Sequence, residues 1–578
     1  MRKLLIFSAL LPLAIGSADA DYSMPERATA RETKPVVKAR HFLAVTAHPL
    51  ATQAAHQILK QGGTAVDAAI AAQMVLTLVE PQSSGIGGGG FMLHYAARKQ
   101  KLQAFDGREV APMNAMSGRF LDGDDKPLER DAAIRSGKAV GVPGLLAMLA
   151  EAHRQHGRLS WATLFQPAIA LASDGFPISP RLHRLIAKDR LLCNSPTSKE
   201  YFCAADGSAK AEGSILKNPA LADTLQLIAR QGPDSFYRGP LTTAMIETVD
   251  KALAGEPGLT AGDFAGYQAI ERAPLCGQFR QWQVCGMPPP SAGGVALLQM
   301  LGLMQRQNIG QYPYRSAQAI HLFADIGRLA YADRDRYIAD PDVMDVPVGA
   351  LLNTSYLDQR NSLLQRDRSI GKAAAGQPWR FTDSERHSSD SQSERPATTH
   401  MSIVDKQGNI VALTSSIEDA FGSRLMVRGF LLNNQLSDFA FAPFADGEPV
   451  LNRVGPGKRP RSSMSPTIVL EHGKKPVIAL GSAGGPNIIN HVPRVRAATL
   501  EWQHPMKKTI EAPNYGSRNG ATELESDAEW GPLPAQLQAL GHDTELREIN
   551  SGIHAIRRDR QYWVSGTDPR REGVASGE

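Results

Sequence analysis

The sequence predicts an α+β chain with a large buried core, and three observations carry that reading. Helical periodicity dominates residues 140–175, 216–231, 239–255 and 316–337. After residue 397 the pattern turns strongly β: MSIVDKQGNIVALTSS reads as two strands around the turn KQGN, and GFLLNN, PTIVLEHGKKPVIALGSAGG and QYWVSG continue in the same way. Runs of helix followed by runs of strand are the α+β arrangement. Finally, 578 residues with 42% hydrophobic content suffice for more than one core, or for one large domain in two parts.

From the N-terminus, residues 1–20, MRKLLIFSALLPLAIGSADA, set Arg2 and Lys3 before an apolar run from Leu4 to Gly16, then small residues at Ala18 to Ala20. That is the layout of a secretory signal with a cut before Asp21, and the run is too short to span a bilayer. No later stretch offers the roughly 18 apolar residues a spanning helix needs. The expectation is an exported chain, periplasmic or secreted, without a stable membrane span. Residues 21–40 are polar and extended. FLAVTAH reads as a strand, and HPLATQAAHQILKQGGTAVDAAIAAQMVLTLVE as two helices broken at Gly62-Gly63. A glycine-rich turn, PQSSGIGGGG, and two strand-like runs follow; CGQFRQWQVC has the look of a hairpin. Residues 366–397 are mostly Ser, Asp, Glu, Arg, Gln and Gly without periodicity, which predicts a mobile, exposed linker. Thr398 stands at the border between that linker and the first strand of the β-rich part.

Composition excludes several partners. The net charge is +5, but the charges are mixed and no basic block carries interleaved aromatics, which argues against nucleic acid. Cys193 and Cys203, and Cys276 and Cys285, form two close pairs, and in an exported chain that suggests two local disulfides. Neither pair has CxxC spacing or a histidine cluster beside it, so zinc is the weaker reading. Gly85, Gly87 and Gly90 satisfy G-x-G-x-x-G, yet they follow a helix-like run and precede a strand-like one. A dinucleotide site needs the reverse order. A tight backbone packed against another segment or a substrate fits better. No repeat of fixed period is present.

The chemistry begins at RPATTHMSIVDKQGNIVALT, residues 395–414. A threonine hydroxyl is a poor nucleophile until a base removes its proton, and the threonine's own α-amine serves once the preceding peptide bond is cut. That amine has an ordinary pKa of about 7.7–8.0, so part of it is neutral near neutral pH. The bland alternative is that Thr398 and Thr399 merely begin a strand, where β-branched residues are favoured. GSAGG, residues 481–485, offers unhindered backbone N–H groups at Gly484 and Gly485, as an oxyanion hole requires. KRPRSSMSPT places Ser462 and Ser463 in a proline-bounded loop able to hydrogen-bond a carboxylate.

These motifs, TTHMSIVDKQGNIVALTSS, LLNNQLSDF at 431–439, GPGKRPRSSMSPT and GSAGG, resemble in order and approximate spacing those of the γ-glutamyltransferase (γ-glutamyltranspeptidase) family. The first half agrees through TQAAHQILKQGGTAVDAAIAA, GIGGGGF, FDGREVAP, AVGVPG and MPPPSAGG, so the similarity runs from about residue 40 to the C-terminus. The resemblance implies an N-terminal-nucleophile hydrolase. Its fold would be a four-layer αββα sandwich built from two subunits of one autoprocessed precursor, a large subunit of 21–397 and a small one of 398–578 that stay together as a heterodimer. It further implies that Thr398 first cuts its own peptide bond to Ala397. Thr398 then attacks the γ-amide of glutathione or another γ-glutamyl compound, with Gly484 and Gly485 holding the oxyanion, and passes the group to water or to an amino acid or peptide. Arg108 would grip the α-carboxylate with Ser462 and Ser463, while Glu418, Gln435 and Asp438 accept from the α-ammonium. Ser416 supports the nucleophile at a position where the family usually has threonine. Without the resemblance, Arg108 reads as a surface ion pair with Asp106 or Glu109, and Asp438 as a turn cap. No metal or organic cofactor is implied.

The sequence departs from the common family pattern in places. Glu418 replaces an asparagine of many members, Arg461 a leucine and Ala483 a proline, and the loop between Asp438 and Lys458 is shorter than a full lid, which implies a more open site. Two rivals follow: a cephalosporin or glutaryl acylase of the same family, and an exported binding protein that never matures.

Overall fold

The computed structural model describes residues 32–378, 387–390, 394–395 and 397–578. The signal segment expected at 1–20 lies outside them. Two seven-stranded sheets, every pairing antiparallel, form the centre of the molecule. The first sheet runs in the order Val574–Gly577, Leu43–Thr46, Ala397–Val404, Ile410–Glu418, Gly89–Ala96, Lys101–Gly107, Ile270–Arg272. The second runs Lys38–Ala39, Tyr562–Thr567, His554–Asp559, Lys475–Gly481, Thr467–Glu471, Trp282–Gly286, Leu275–Phe279.

Alternation along the central strands explains the layering. Met401, Ile403, Val411 and Leu413 turn to one face and share a core with the helices Pro49–Lys60, Ala65–Val79 and Leu145–His156. Val404, Ile410 and Ala412 belong to a second core with Ile468, Ile478 and Ala555 of the other sheet, and with the helices Gly293–Arg306, Ala317–Tyr337 and Ile488–Leu500. The result is helices, sheet, sheet, helices. Helix Ala65–Val79, AVDAAIAAQMVLTLV, is apolar on nearly all sides, and every residue of it is buried. Thr64 and Asp67 close its N-terminus as a reciprocal capping pair.

The expected break at Gly62-Gly63 falls between two helices. The turn KQGN joins the paired strands Ala397–Val404 and Ile410–Glu418. CGQFRQWQVC is a hairpin in which Cys276 and Cys285 are directly opposed and bonded; Cys193 and Cys203 are bonded as well. The glycine run is close backbone packing: a Cβ on Gly87 would run into the Leu431 carbonyl oxygen, and one on Gly88 into that of Ser416. The helices Gly293–Arg306 and Ile488–Leu500 were not expected. The first follows a proline-rich turn, and the second carries Pro493 inside it.

Of the linker expected at 366–397, residues 379–386, 391–393 and 396 lie outside the described residues. The described parts of 366–397 are neither loose nor uniformly exposed. Ile370 donates its N–H to Asp325, Gly376 to Asp333 and Asp390 to the Asp335 carbonyl, and Asp390 and Glu394 are buried. The segment is too polar to form a core, but at these described positions amides and carboxylates find partners on the body of the protein.

Candidate active site

Thr398 is placed by strand register. It pairs with Ser416 on the neighbouring strand, and a bulge between Ala397 and Thr398 brings Ala397 opposite Glu418. Ser416 therefore stands beside Thr398, and its hydroxyl donates to the Ala397 carbonyl oxygen at 2.6 Å. The Ser416 oxygen in turn accepts the Glu418 N–H at 2.9 Å, which aims its single proton at that carbonyl. Arg571 Nη1 donates to the Thr398 carbonyl at 2.9 Å. His400, on the same strand face, bonds Thr414 at 2.8 Å and Ser402 at 3.1 Å. Burial, with a smaller push from His554, holds His400 well below the ordinary histidine range. It is a neutral strut against Gly481 of the second sheet, where a Cβ would strike its ring.

Around Thr398 closes a cavity of about 10 Å³ lined by Arg108, Ser416, Glu418, Gln435, Asp438 and Ser462, with Gly485, Glu394 and Arg395 completing it. That is room for about one water. A larger cavity of about 870 Å³, lined by Trp161, Tyr237 and Tyr267, lies elsewhere and includes none of these residues.

Glu418 has a left-handed backbone, φ +81°, which costs a non-glycine residue about 1–3 kcal/mol. Its carboxylate accepts from Arg130 at 2.5 Å, from the Asn434 amide and from the Arg395 N–H at 2.8 Å. Gln435 and Asp438 occupy one short 3₁₀ turn, and the Gln435 amide donates to Asp438 at 2.6 Å. Burial first, then the neighbouring Glu418 charge, pushes the Asp438 carboxyl up, against the pull of Arg108. Arg108 is not a surface residue. It is buried, bonds Asp438 at 2.7 Å, and donates to the carbonyls of Pro460 and Arg461. Of its two expected partners, Glu109 lies 3.7 Å away, also buried, whereas the Asp106 carboxylate pairs with Arg272 at 2.7 Å. Glu109, buried behind Arg108, is pushed up to about 7 chiefly by burial.

Ser462 and Ser463 are held from the other half of the chain: Ser462 donates its N–H to the Pro290 carbonyl and accepts that of Ala292, within MPPPSAGG. The Ser463 N–H donates to Glu394, and its hydroxyl accepts from Arg334 at 2.9 Å. Gly484 (φ +125°) and Gly485 (φ +55°) adopt backbone that favours glycine, immediately before helix Ile488–Leu500. His491 braces this turn. Its Nδ1 lies 3.3 Å from the Ala483 carbonyl and 3.2 Å from Ser482, and burial lowers it to about 3.

Of the site residues expected from the sequence, Arg108, Thr398, Ser416, Glu418, Gln435, Asp438, Ser462 and Gly485 line this one cavity, whereas Ser463 and Gly484 each lie one residue behind its wall. Sequence reasoning missed Arg130, Asn434, Arg334, Arg571 and His491. Only Asn434, inside LLNNQLSDF, lay in a motif already singled out beside its partner's partners. Among the described residues, His321, Asp325 and His542 form one buried group with metal-ligand character. Arg328 already donates to Asp325 at 2.6 Å and lies 3.2 Å from His542, so a cation stands where an ion would have to enter.

The sequence profile of the family described as γ-glutamyltranspeptidase matches residues 51–578. The chain belongs to the γ-glutamyltranspeptidase family. The glutathione hydrolase proenzyme of Bacillus subtilis strain 168 is 35% identical over 557 residues, spanning 94% of this chain and 93% of that relative. Among solved structures, cephalosporin acylase from Bacillus halodurans superposes with a TM-score of 0.80 at 26% identity over 94% of this chain and 97% of its own. Helicobacter pylori γ-glutamyltranspeptidase superposes with a TM-score of 0.53 at 33% identity over 56% of this chain and 91% of its own. The four-layer sandwich is accordingly the N-terminal-nucleophile hydrolase fold of the γ-glutamyltranspeptidases and their acylase relatives. No helix among the described residues is long and apolar enough to cross a membrane.

Proposed function

We propose that this chain is the precursor of a glutathione hydrolase and γ-glutamyltransferase that cuts itself between Ala397 and Thr398. The observation that carries the reading is the Ser416 hydroxyl bonded to the Ala397 carbonyl, beside Thr398 in register. A hydrogen bond aimed at a carbonyl that must become an oxyanion favours attack on it. Thr398 Oγ1 adds to that carbonyl, the C–N bond breaks with its proton supplied to the departing α-amine, and water hydrolyses the resulting ester. The new fragment begins with a free amine next to its own hydroxyl.

In the mature protein the amine takes the hydroxyl proton as Thr398 attacks the γ-carbonyl of a γ-glutamyl amide. The N–H groups of Gly484 and Gly485 receive the oxyanion, the leaving amine regains the proton, and a γ-glutamyl ester remains on Thr398. Water or the amine of an amino acid or peptide then releases it. Arg108, Ser462 and Ser463 take the α-carboxylate; Glu418, Gln435 and Asp438 take the α-ammonium. The acidic cluster of Glu418 and Asp438 supports an ammonium-bearing donor over a glutaryl one, since glutaryl amides lack that cation. The two local disulfides support an oxidising, exported setting.

The tests are direct. A denaturing gel of the purified protein is expected to give two bands, the smaller beginning at Thr398 by N-terminal sequencing, and Thr398→Ala one band without turnover. One uncut band from an active wild type would overturn the mechanism. Preference for glutaryl-p-nitroanilide over γ-glutamyl-p-nitroanilide would favour the acylase reading, to which the overall superposition on cephalosporin acylase lends its support.

A further inference from the structure

The chain holds a carboxylate of its own at the edge of the donor site. Glu394 lies three residues before Ala397, and its carboxylate is bound by the Arg334 guanidinium and by the Ser463 N–H at 3.1 Å. Arg334 also bonds the Ser463 hydroxyl, which fixes the two donors relative to each other. A second carboxylate of the same segment, Asp390, is held by Arg461 at 3.0 Å and by the Asn452 amide at 2.9 Å.

Glu394 is also a partition. It lines the small cavity around Thr398 and, on its other side, a cavity of about 670 Å³ with Tyr331, Arg334 and Arg518. Arg334 is only 4% exposed; its Nη1 stays paired with Asp335 at 2.5 Å, but its Nη2 has Glu394 as its carboxylate, and emptying that end of a buried guanidinium is costly. Arg108 is differently committed, to Asp438 and to two backbone carbonyls. When the bond after Ala397 is cut, the segment bearing Glu394 loses its downstream tether while the Arg334–Ser463 cradle stays.

We propose that Arg334 and the Ser463 N–H form a carboxylate seat of the donor site, and that Glu394 is its resident occupant until the chain is cut. The inference rests on the γ-glutamyl reading above and adds Arg334 to the residues that bind substrate. The ligand class is an acyl donor, or its released acid, with a carboxylate on the acyl chain. In the uncut chain that seat is taken.

Arg334→Gln is tested on the cleaved protein with γ-glutamyl-p-nitroanilide and with 4-aminobutanoyl-p-nitroanilide, which keeps the amine and lacks the carboxylate. KM for the first is expected to rise at least about tenfold, and far more than KM for the second; equal changes for both overturn the proposal. If Arg334→Gln does not mature, Arg334→Lys serves, with a smaller shift of the same selectivity. Binding is read separately through the rise in Tm with L-glutamate. Cleaved wild type is expected to respond, and cleaved Arg334→Gln and uncut Thr398→Ala are not; equal responses in all three overturn the proposal. A wild type that responds to L-glutamate but cleaves neither anilide would defeat the assigned activity while leaving the seat in place.

Discussion

Ser416 has one proton to give and gives it to the Ala397 carbonyl, whose peptide bond to Thr398 is the one proposed to be cut, because the Glu418 N–H already occupies its oxygen. Ser416→Ala removes that donor, and the appearance of the small fragment on a gel time course is expected to slow by about 10²–10³-fold, whereas Ser416→Thr keeps the hydroxyl and should mature. Glu109 supplies a different test. Burial raises it from 4.5 to about 7, so between those values the folded chain holds a proton the unfolded chain has released. Its contribution to stability is complete below about 4.5 and is lost as pH rises through about 7, a change on the order of 3 kcal/mol. Glu109→Gln should therefore flatten the fall in Tm measured from pH 5 to pH 8. The residues that the sequence made legible, Thr398, Ser416 and the pair Ser462 and Ser463, sit in contiguous motifs. Arg130 and Arg334 did not show, because each reaches its partner from a remote helix and an arginine on a helix reads equally well as a solvated face.

At the scale of elements, the turn at Gly484 and Gly485, proposed to receive the oxyanion, can do so only if it is held still, and helix Ile488–Leu500 contacts it through His491. His491→Ala leaves the acyl pocket intact but removes the ring that contacts Ser482 and the Ala483 carbonyl, which then keeps only the Ser482 hydroxyl at 2.6 Å. The expectation is a fall in kcat of about tenfold with KM changed less than about twofold, the mark of an interaction used in the transition state. Gly484→Ala should be worse, since a Cβ there lies 2.8 Å from the His491 ring at a φ of +125°. The glycine run at 85–90 teaches the related lesson. Its order between helix and strand excluded a nucleotide loop, yet only the fold revealed that Gly87 and Gly88 admit the Leu431 and Ser416 carbonyls. The linker misled for the opposite reason. Polar composition reports the lack of a core, but not whether buried arginines elsewhere await its carboxylates, as Arg461 awaits Asp390.

At the scale of the molecule, the proposed cut before Thr398 falls inside a shared sheet. Val574–Gly577, Ala397–Val404 and Ile410–Glu418 interleave with Leu43–Thr46 and Gly89–Ala96, so the two fragments are joined by ladder hydrogen bonds on both sides of the new N-terminus. The cleaved protein is expected to elute from a sizing column as one species and to unfold in one transition; separation of the fragments without denaturant would contradict this interleaving. Self-cleavage can thus release the linker at Thr398 without loosening the sandwich.

The amino-acid sequence by itself determined many of the helices and strands, though not helices Gly293–Arg306 and Ile488–Leu500, together with the hairpin after Thr398 and the chemical groups available, because these depend on local periodicity, turn residues and hydroxyls or glycines close in the chain. Tertiary structure alone decided the pairing of Arg108 with Asp438, the bracing of the oxyanion turn by His491 and the seating of Glu394 on Arg334. The Arg108 and Arg334 contacts join residues far apart in the chain, and the desolvation that makes such charges seek partners exists only once both sheets and their helices have closed around them.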